Sequence, residues 1–385
     1  MIKEESALIN IKEPKKISKK LPVFYNPVMK FNRDISVTLI NAWPNKNLQI
    51  ADVLAGSGIR AIRFLKELNK SKIKNITVND YNKNFKKNFE KFLKLNKIKK
   101  TSITNNPNKI NKLKKSNNTN KITITSQDAN KLLLESTGFD YIDVDPFGTP
   151  NPFLDLAARR ISRNGILAVT ATDTAPLAGT FTEVCQRKYF AKPLHNYLMH
   201  EIGLRILIRK IQLIAGQYEK SLVPVFSYFK DHYFRIFFAC TKGKKDVDKI
   251  IEQHKYFLFC SKCLNYKVSE YNNEICCSSK MAYAGPLWTG DLFDEKLVGA
   301  MIKKNKIKDI GKFLEIAKEE SKIKNIGFYN VHELCKHYKL GIPKKQLIIE
   351  KLKQTGQASE THFNPEAIKT NLSSEKIIKA IKELL

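Results

Sequence analysis

Asp143-Val144-Asp145-Pro146-Phe147-Gly148 closes an apolar run that begins at Phe139. The run has the length of a buried strand, and its end delivers a carboxylate, a stiff turn and an aromatic ring together. That combination suits one chemistry well. An exocyclic amine on a nucleobase is a poor nucleophile, because its lone pair is delocalised into the base. A carboxylate and a backbone carbonyl that accept its N–H bonds localise that lone pair. A proline fixes the turn that aims them, and a ring stacks on the flipped-out base. Asp145 is therefore the expected proton acceptor and Phe147 the expected platform, with Asp143 on the same strand face bordering a cofactor. Strand-end turns also use Asp and Pro for ordinary geometry, so the assignment depends on what lies upstream.

Upstream is a glycine turn, Gly56-Ser57-Gly58-Ile59-Arg60-Ala61, between an apolar run and a helical pattern. Glycines let the backbone approach a ligand, and the spacing fits the G-x-G-x-x-A dinucleotide fingerprint. Asp80 ends the next apolar run, 22 positions after Gly58, where a carboxylate would accept both ribose hydroxyls of an adenosine. Asp128, with Ala129 beside it, follows a third run and would meet the adenine edge. Either aspartate alone is equally a helix N-cap. Three such positions at successive strand ends favour an adenosine crevice.

The elements that carry these residues alternate as in an α/β fold. Strands are expected at "LQIADVL", "NITVNDY", "ITITSQD", "FDYIDVD" and "GILAVTATD", with helices between them, one from Asn82 to about Lys97. "SLVPVFSYF" and "YFRIFFACTK" follow, joined by Lys230, Asp231 and His232. So short a connection forces antiparallel pairing. Five parallel strands closed by an antiparallel pair describe a class I (Rossmann-like) methyltransferase sheet better than a plain dinucleotide fold. This domain is expected to span residues 1–243, with a low-complexity Asn/Lys insertion at about 101–121 that reads as a solvated loop. Residues 244–385 read as a smaller α+β domain. There, "YNVHELCKHYKL", "PKKQLIIEKLKQTG" and "ASETHFNPEAIKT" suggest two helices and a hairpin, a winged-helix-like module.

Across 385 residues, 68 basic and 37 acidic side chains give a net charge of +31, the signature of a polyanionic partner. A genome biased towards Lys, Asn and Ile codons would produce the same texture. No uncharged apolar run is long enough to span a membrane, and the N-terminus has no apolar centre of the signal-peptide kind. The expectation is a cytoplasmic protein with no obligate protein partner. Seven cysteines without a secretory signal argue against a disulfide framework. Cys260-x-x-Cys263 with Cys276-Cys277 has the flavour of a structural zinc site. Either both adjacent cysteines bind, or Glu274 or another side chain completes the set, or the site has decayed.

"PVFYNPVMKFNRDISV", "LAGSGIRAIRF", "DVDPFGTP", "TATDTAPLAG" and "GPLWTG" together resemble the tRNA guanine-26 N2-dimethyltransferase family in its archaeal-type short form, from about Leu21 to the C-terminus. The resemblance implies S-adenosylmethionine as donor, tRNA as substrate, and two successive methyl transfers to the exocyclic amine of guanine 26. It implies cofactor binding by Arg33, Arg60, Asp80, Asp128 and Ala129, with Arg63 an alternative to Arg60. It makes Asp145 the catalytic carboxylate and Phe24 and Phe147 the rings that hold the base. It also leads one to expect a second Cys-x-x-Cys pair just before "AGPLWTG", and here the position three before Cys277 is Glu274. An adenine or cytosine amino-methylase is a second reading, but its turn usually carries a second proline where Phe147 stands. An RNA-binding module with a vestigial nucleotide fold is a third, disfavoured by the joint presence of Asp80, Asp128 and Asp145.

Overall fold

The computed structural model describes residues 1–13, 16–18, 21–98 and 121–385; most of the Asn/Lys insertion lies outside them. Seven strands form the central sheet: β1 (Leu48–Asp52), β2 (Ile73–Asn79), β3 (Lys121–Thr125), β4 (Phe139–Val144), β5 (Ile161–Ala171), β6 (Lys220–Lys230) and β7 (Tyr233–Lys242). Their order is β3-β2-β1-β4-β5-β7-β6. β1 to β5 are mutually parallel, and β7 runs antiparallel to both β5 and β6. β6 and β7 form the expected antiparallel pair, and within it β6 shares the direction of the first five strands. The strands are near-continuous runs of Ile, Val, Leu and Phe because both faces are covered, as parallel sheets require. Helices α1 (Lys30–Ala42), α2 (Ile59–Glu67) and α3 (Phe85–Leu95) cover one face; α4 (Ala129–Glu135), α5 (Asn151–Arg160) and, beyond α6 (Thr174–Leu177) and α7 (Thr182–Tyr189), α8 (Met199–Gly216) cover the other. Helix α3 is shorter than its sequence pattern suggested, because the Asn82 side chain holds the entry turn, donating to the Pro22 carbonyl at 3.0 Å and accepting from Asn84 N at 2.9 Å.

One charged interaction crosses this apolar sheet. Arg235 of β7 forms a two-pronged pair with Asp143 of β4, Nη1 to Oδ1 at 2.9 Å and Nη2 to Oδ2 at 2.7 Å. Both side chains are wholly buried, and Thr170 on the intervening β5 accepts a further bond from Nη1 at 2.9 Å. The pair therefore ties β4 to β7 across β5.

The remaining chain packs on the same body. His254–Phe259 pairs with Tyr266–Ser269 on one side and Ala282–Trp288 on the other. Phe257, Leu287, Trp288, Met301 and Leu314 join the main apolar core. Arg205 of α8 reaches across to donate to the carbonyls of Trp288 (3.1 Å) and Gly290 (2.8 Å). At the C-terminus, helices Val331–His337 and Lys345–Lys353 precede a hairpin, Ala358–Glu360 with Ala367–Thr370, and Tyr329–Asn330 adds a third strand. This is the winged-helix-like order, and it has a core of its own around Leu334, Ile348 and Ile377. Glu320, on helix Gly311–Ser321, docks that module by accepting from Thr361 Oγ1 (2.9 Å) and His362 Nδ1 (2.6 Å).

Two stability predictions follow from these buried charges. Arg235→Met leaves Asp143 with one arginine in an apolar interior, and breaking a buried pair costs about 3–5 kcal/mol. The denaturation midpoint should fall accordingly, and an unchanged midpoint would show that the pair contributes nothing net. Burial raises the pKa of Glu320, but the His362 charge and hydrogen bond and Lys369 outweigh it and hold the carboxyl at about 2. A carboxyl held below its unfolded value stabilises the fold above about pH 4.5, and that contribution is lost as pH falls towards 2. Melting temperature against pH should therefore decline across that window in the wild type and decline less steeply in Glu320→Gln.

Candidate active site

The loops after β1, β2, β4 and β5 converge at the C-terminal edge of the sheet, where open α/β folds bind ligands. The turn after β1 takes left-handed backbone at Gly56 (φ +59°) and Gly58 (φ +76°). A Cβ on Gly58 would come within 2.3 Å of the Phe89 ring, and one on Gly56 within 3.0 Å of the Phe24 carbonyl. Only glycine permits this turn. Asp80 pins it: one carboxylate oxygen accepts from Gly56 N at 2.8 Å and the other from Asn82 N at 2.9 Å. Burial raises the Asp80 pKa and the two N–H bonds oppose that. Each carboxylate oxygen has two acceptor sites, so these bonds leave capacity for a diol. Asp128 is the N-cap of α4, accepting from Asn130 N (2.9 Å) and Lys131 N (3.0 Å), and Ala129 is buried behind it.

Asp52, at the end of β1, was not singled out from sequence. It is almost completely buried, and its Oδ2 has no hydrogen-bond partner. Burial pushes its pKa up to about 8 against the pull of Arg60, with Asp143, Asp145 and Asp80 adding to the rise. An orphaned buried acceptor beside a glycine turn and the Asp80 carboxylate fits a cationic, hydroxyl-bearing ligand such as S-adenosylmethionine.

Arg60 faces the Asp145 turn. Its Nη2 pairs with Asp145 Oδ2 and its Nη1 with Asn32 Oδ1 (3.0 Å), Ser36 Oγ (2.9 Å) and Asp143 Oδ2 (3.4 Å). Its guanidinium is thus committed to the Asp145 carboxylate and its support. Arg63 is held by Asp34 and Glu67, one turn further from this cluster. Arg33 is clasped by Glu4, with Nη2 also on the Asn26 carbonyl at 3.1 Å. Glu4 comes from a hairpin at the extreme N-terminus, Ile2–Glu4 with Ala7–Ile9, and also accepts from Tyr25 Oη at 2.9 Å. Asp143, expected to border a cofactor, is instead fully buried under the site between Arg235, Arg60 and Tyr141, whose hydroxyl donates at 2.6 Å.

The Asp145-Pro146-Phe147 turn is fastened on its far side. Gly148 N donates to Thr172 Oγ1 at 2.7 Å, and Thr172 N donates back to the Gly148 carbonyl at 3.0 Å. Phe147 projects with half its surface exposed, and its ring meets Phe24 edge-on at 5.9 Å. The structure brings the three together beside the glycine turn: Phe24 lies against Gly56, Phe147 against Phe24, and Asp145 on Arg60 of α2.

The cysteine cluster lies apart from this site. The Sγ atoms of Cys260, Cys263, Cys276 and Cys277 all fall within 4.8 Å of one another, with 3.6 Å from Cys263 to Cys276 and 3.8 Å from Cys276 to Cys277. Ligands about 2.3 Å from a tetrahedral zinc are separated by about 3.8 Å, so the four thiols fit that ion. Left-handed backbone at Cys277 (φ +51°) and Ser278 (φ +55°) accompanies the approach of these two adjacent thiols. Burial raises the Cys260 thiol, but N–H groups of Cys263 and Lys262 bring it down to about 7. Glu274 is engaged by Lys267 instead.

Comparison with known proteins agrees with this geometry. The family model described as N2,N2-dimethylguanosine tRNA methyltransferase matches residues 5–382. A relative from Aquifex aeolicus, named tRNA (guanine(26)-N(2)/guanine(27)-N(2))-dimethyltransferase, is 38% identical over 100% of this chain and 96% of its own. One from Methanobrevibacter smithii, named tRNA (guanine(26)-N(2))-dimethyltransferase, is 37% identical over 99% of this chain and 97% of its own. The solved structure of Trm1 from Pyrococcus horikoshii with S-adenosyl-L-methionine superposes with a TM-score of 0.85 at 34% identity, covering 99% of both chains. On a match that runs nearly end to end, the chain belongs to the N2,N2-dimethylguanosine tRNA methyltransferase family.

Proposed function

We propose that this protein is a tRNA (guanine26-N2)-dimethyltransferase that adds two methyl groups in succession to one exocyclic amine. The observation that carries the reading is the Asp145-Pro146-Phe147 turn, with Arg60 on its carboxylate and Phe24 edge-on to its ring. S-adenosylmethionine, when bound, supplies an electrophilic methyl group on a sulfonium. Asp80 and Ala129 would hold its adenosine, Asp128 the base edge, and Arg33, steadied by Glu4, its carboxylate. The guanine would lie between Phe24 and Phe147, with its N2 hydrogens directed at Asp145 and the Pro146 turn. The methyl group would be supplied from that sulfonium to N2, and Asp145 would take the proton that the amine gives up. Arg60 supports this role by fixing the carboxylate's direction; we assign it to that task in preference to cofactor binding. A second cycle needs only that the monomethylated base be bound again with its remaining hydrogen towards Asp145.

Residues 1–243 would form the methyltransferase unit and residues 244–385 the unit that positions tRNA, with the shared core and the Arg205 contacts supporting a fixed docking between them. The surplus of 31 positive charges supports a phosphate-rich substrate. Among the described residues no helix is long and apolar enough to cross a membrane, and a cytoplasmic site of action fits a tRNA substrate. The four cysteines would hold one structural zinc, remote from the methyl-transfer chemistry.

Asp145→Asn should reduce single-turnover methylation of tRNA by about 10²–10⁴-fold, the usual worth of a positioned base, with little change in cofactor affinity by calorimetry. Phe147→Ala should cost less, since a stacking platform contributes about 1–3 kcal/mol. Digestion of the product tRNA to nucleosides and fragment mapping would locate the methyl groups at position 26, or also at 27. Near-normal turnover by Asp145→Asn would overturn the role given to this carboxylate. For the metal, elemental analysis should return about one zinc per chain, lost in Cys263→Ser together with thermal stability. A fully active protein carrying none would overturn the zinc assignment.

A further inference from the structure

A groove of about 260 Å³ opens at the C-terminal end of α7, and neither the methyl-transfer site nor the cysteine cluster uses it. Its walls are aromatic: Phe190, Tyr256 and Tyr283. Its polar lining is Gln186, Lys192 and Asn272, with no acidic residue among the lining side chains. Lys192 Nζ sits 4.2 Å from the Tyr283 ring centre, and Lys210 Nζ sits 4.1 Å from that of Phe190. Tyr256 meets Tyr283 edge-on at 6.0 Å. The floor is stiff, since Lys192 and Gly285 exchange backbone hydrogen bonds at 2.9 and 2.8 Å.

Phe190 is the unusual member. It caps α7 in left-handed backbone (φ +53°) with 62% of its surface exposed. Helices that end this way usually place glycine there, sometimes asparagine. A bulky ring in that conformation is strained, and an exposed ring gains little from burial to offset it. Stability alone does not account for this residue.

The geometry points to a second base-binding site, which holds an unstacked nucleotide of the tRNA substrate outside the methyl-transfer pocket. Rings give a sequence-tolerant stacking surface, Gln186 and Asn272 offer amides to the base edge, and Lys192 and Lys210 offer cations to the phosphate. The groove is also fastened to the reaction site. Tyr189 Oη lies 3.2 Å from Thr149 Oγ1, and Asn151 Nδ2 donates to the Lys188 carbonyl at 3.2 Å. The last turn of α7 thus rests on the residues that follow Phe147, so a nucleotide held in the groove sets the register of the RNA against Asp145. This inference rests on the tRNA-methylating function proposed above.

The test uses the full-length protein with Phe190→Asn, Lys192→Gln and the double variant. Asparagine tolerates left-handed backbone, so Phe190→Asn should keep or raise the melting temperature while removing the ring. Lys192→Gln changes one surface charge and decides the matter if the first variant folds poorly. The expected result is a rise in the KM for tRNA, about 5- to 150-fold for the double variant from the worth of one stacked base. That rise should exceed any fall in kcat, cofactor affinity should be unchanged, and Phe190→Tyr should restore most of the loss. Ultraviolet irradiation of the wild-type complex should join tRNA to the peptide carrying Phe190 or Tyr283. An unchanged KM in all variants, or cross-links that avoid both peptides, would overturn the proposal and leave the groove to another kind of partner. Failure of the wild type to methylate tRNA would instead overturn the function, while tRNA binding and cross-linking still report on the groove.

Discussion

Asp143 sits without solvent between two arginines, and the architecture of the site follows from that one carboxylate. Arg235 satisfies it from β7, Tyr141 from its own strand, and Arg60 from α2. A bare carboxylate in this interior would cost several kcal/mol, so the sheet must bring β7 beside β5 and α2 over β4. Once Arg60 is recruited, its other nitrogen reaches Asp145. The groups that hold the sheet together and the proposed catalytic carboxylate therefore belong to one hydrogen-bonded cluster. Substitutions far from the substrate, at Ser36 or Thr170 for example, would be felt at Asp145 through it.

A second constraint acts where the cofactor would sit. The turn after β1 cannot accept side chains at Gly56 or Gly58, and Asp80 fixes it from the neighbouring strand. The crevice is thus rigid on one wall. Asp52 forms part of the opposite electrostatics, with an unpartnered oxygen and burial holding it towards the neutral form. A cation entering the crevice would favour its ionised form, so cofactor binding and proton release from Asp52 are expected to be coupled.

Much of this was legible in the sequence because the local signals were strong. Short apolar runs ending in Asp, glycines at fixed spacing, and a three-residue connection between two long strands specify a parallel sheet closed by an antiparallel pair. The turn at Asp145 was legible for the same reason: proline and glycine restrict the backbone wherever they occur. Residues that act through distant partners were not. Glu4 lies 29 positions from Arg33 and 21 from Tyr25, and nothing local marks it. Arg235 carried a faint signal, as a lone cation inside "YFRIFFAC", where an unpaired charge would be prohibitive; its partner, 92 positions away, could not be named. Arg60 and Arg63 share one short helix, and only the three-dimensional arrangement separates their tasks. Whether Cys276 and Cys277 could share one ion stayed open in the sequence, because the left-handed backbone at Cys277 beside which the two thiols meet is not visible in composition.

The separation between Asp143 and Arg235 has a consequence for the protein during its own synthesis. Ribosomes add about 5–20 residues per second, so the 92 residues between the partners take roughly 5–20 s to appear. Through that interval the nascent chain already contains β1 to β4, the glycine turn, Arg60 and Asp145, but not Arg235, the second arginine on Asp143. The half-made sheet holds a carboxylate with one of its two arginines, and closing over it costs more than in the finished protein. The central sheet is therefore expected to settle late, once β7 has emerged, and a product truncated before β7 would lack the partner that Asp143 meets across β5.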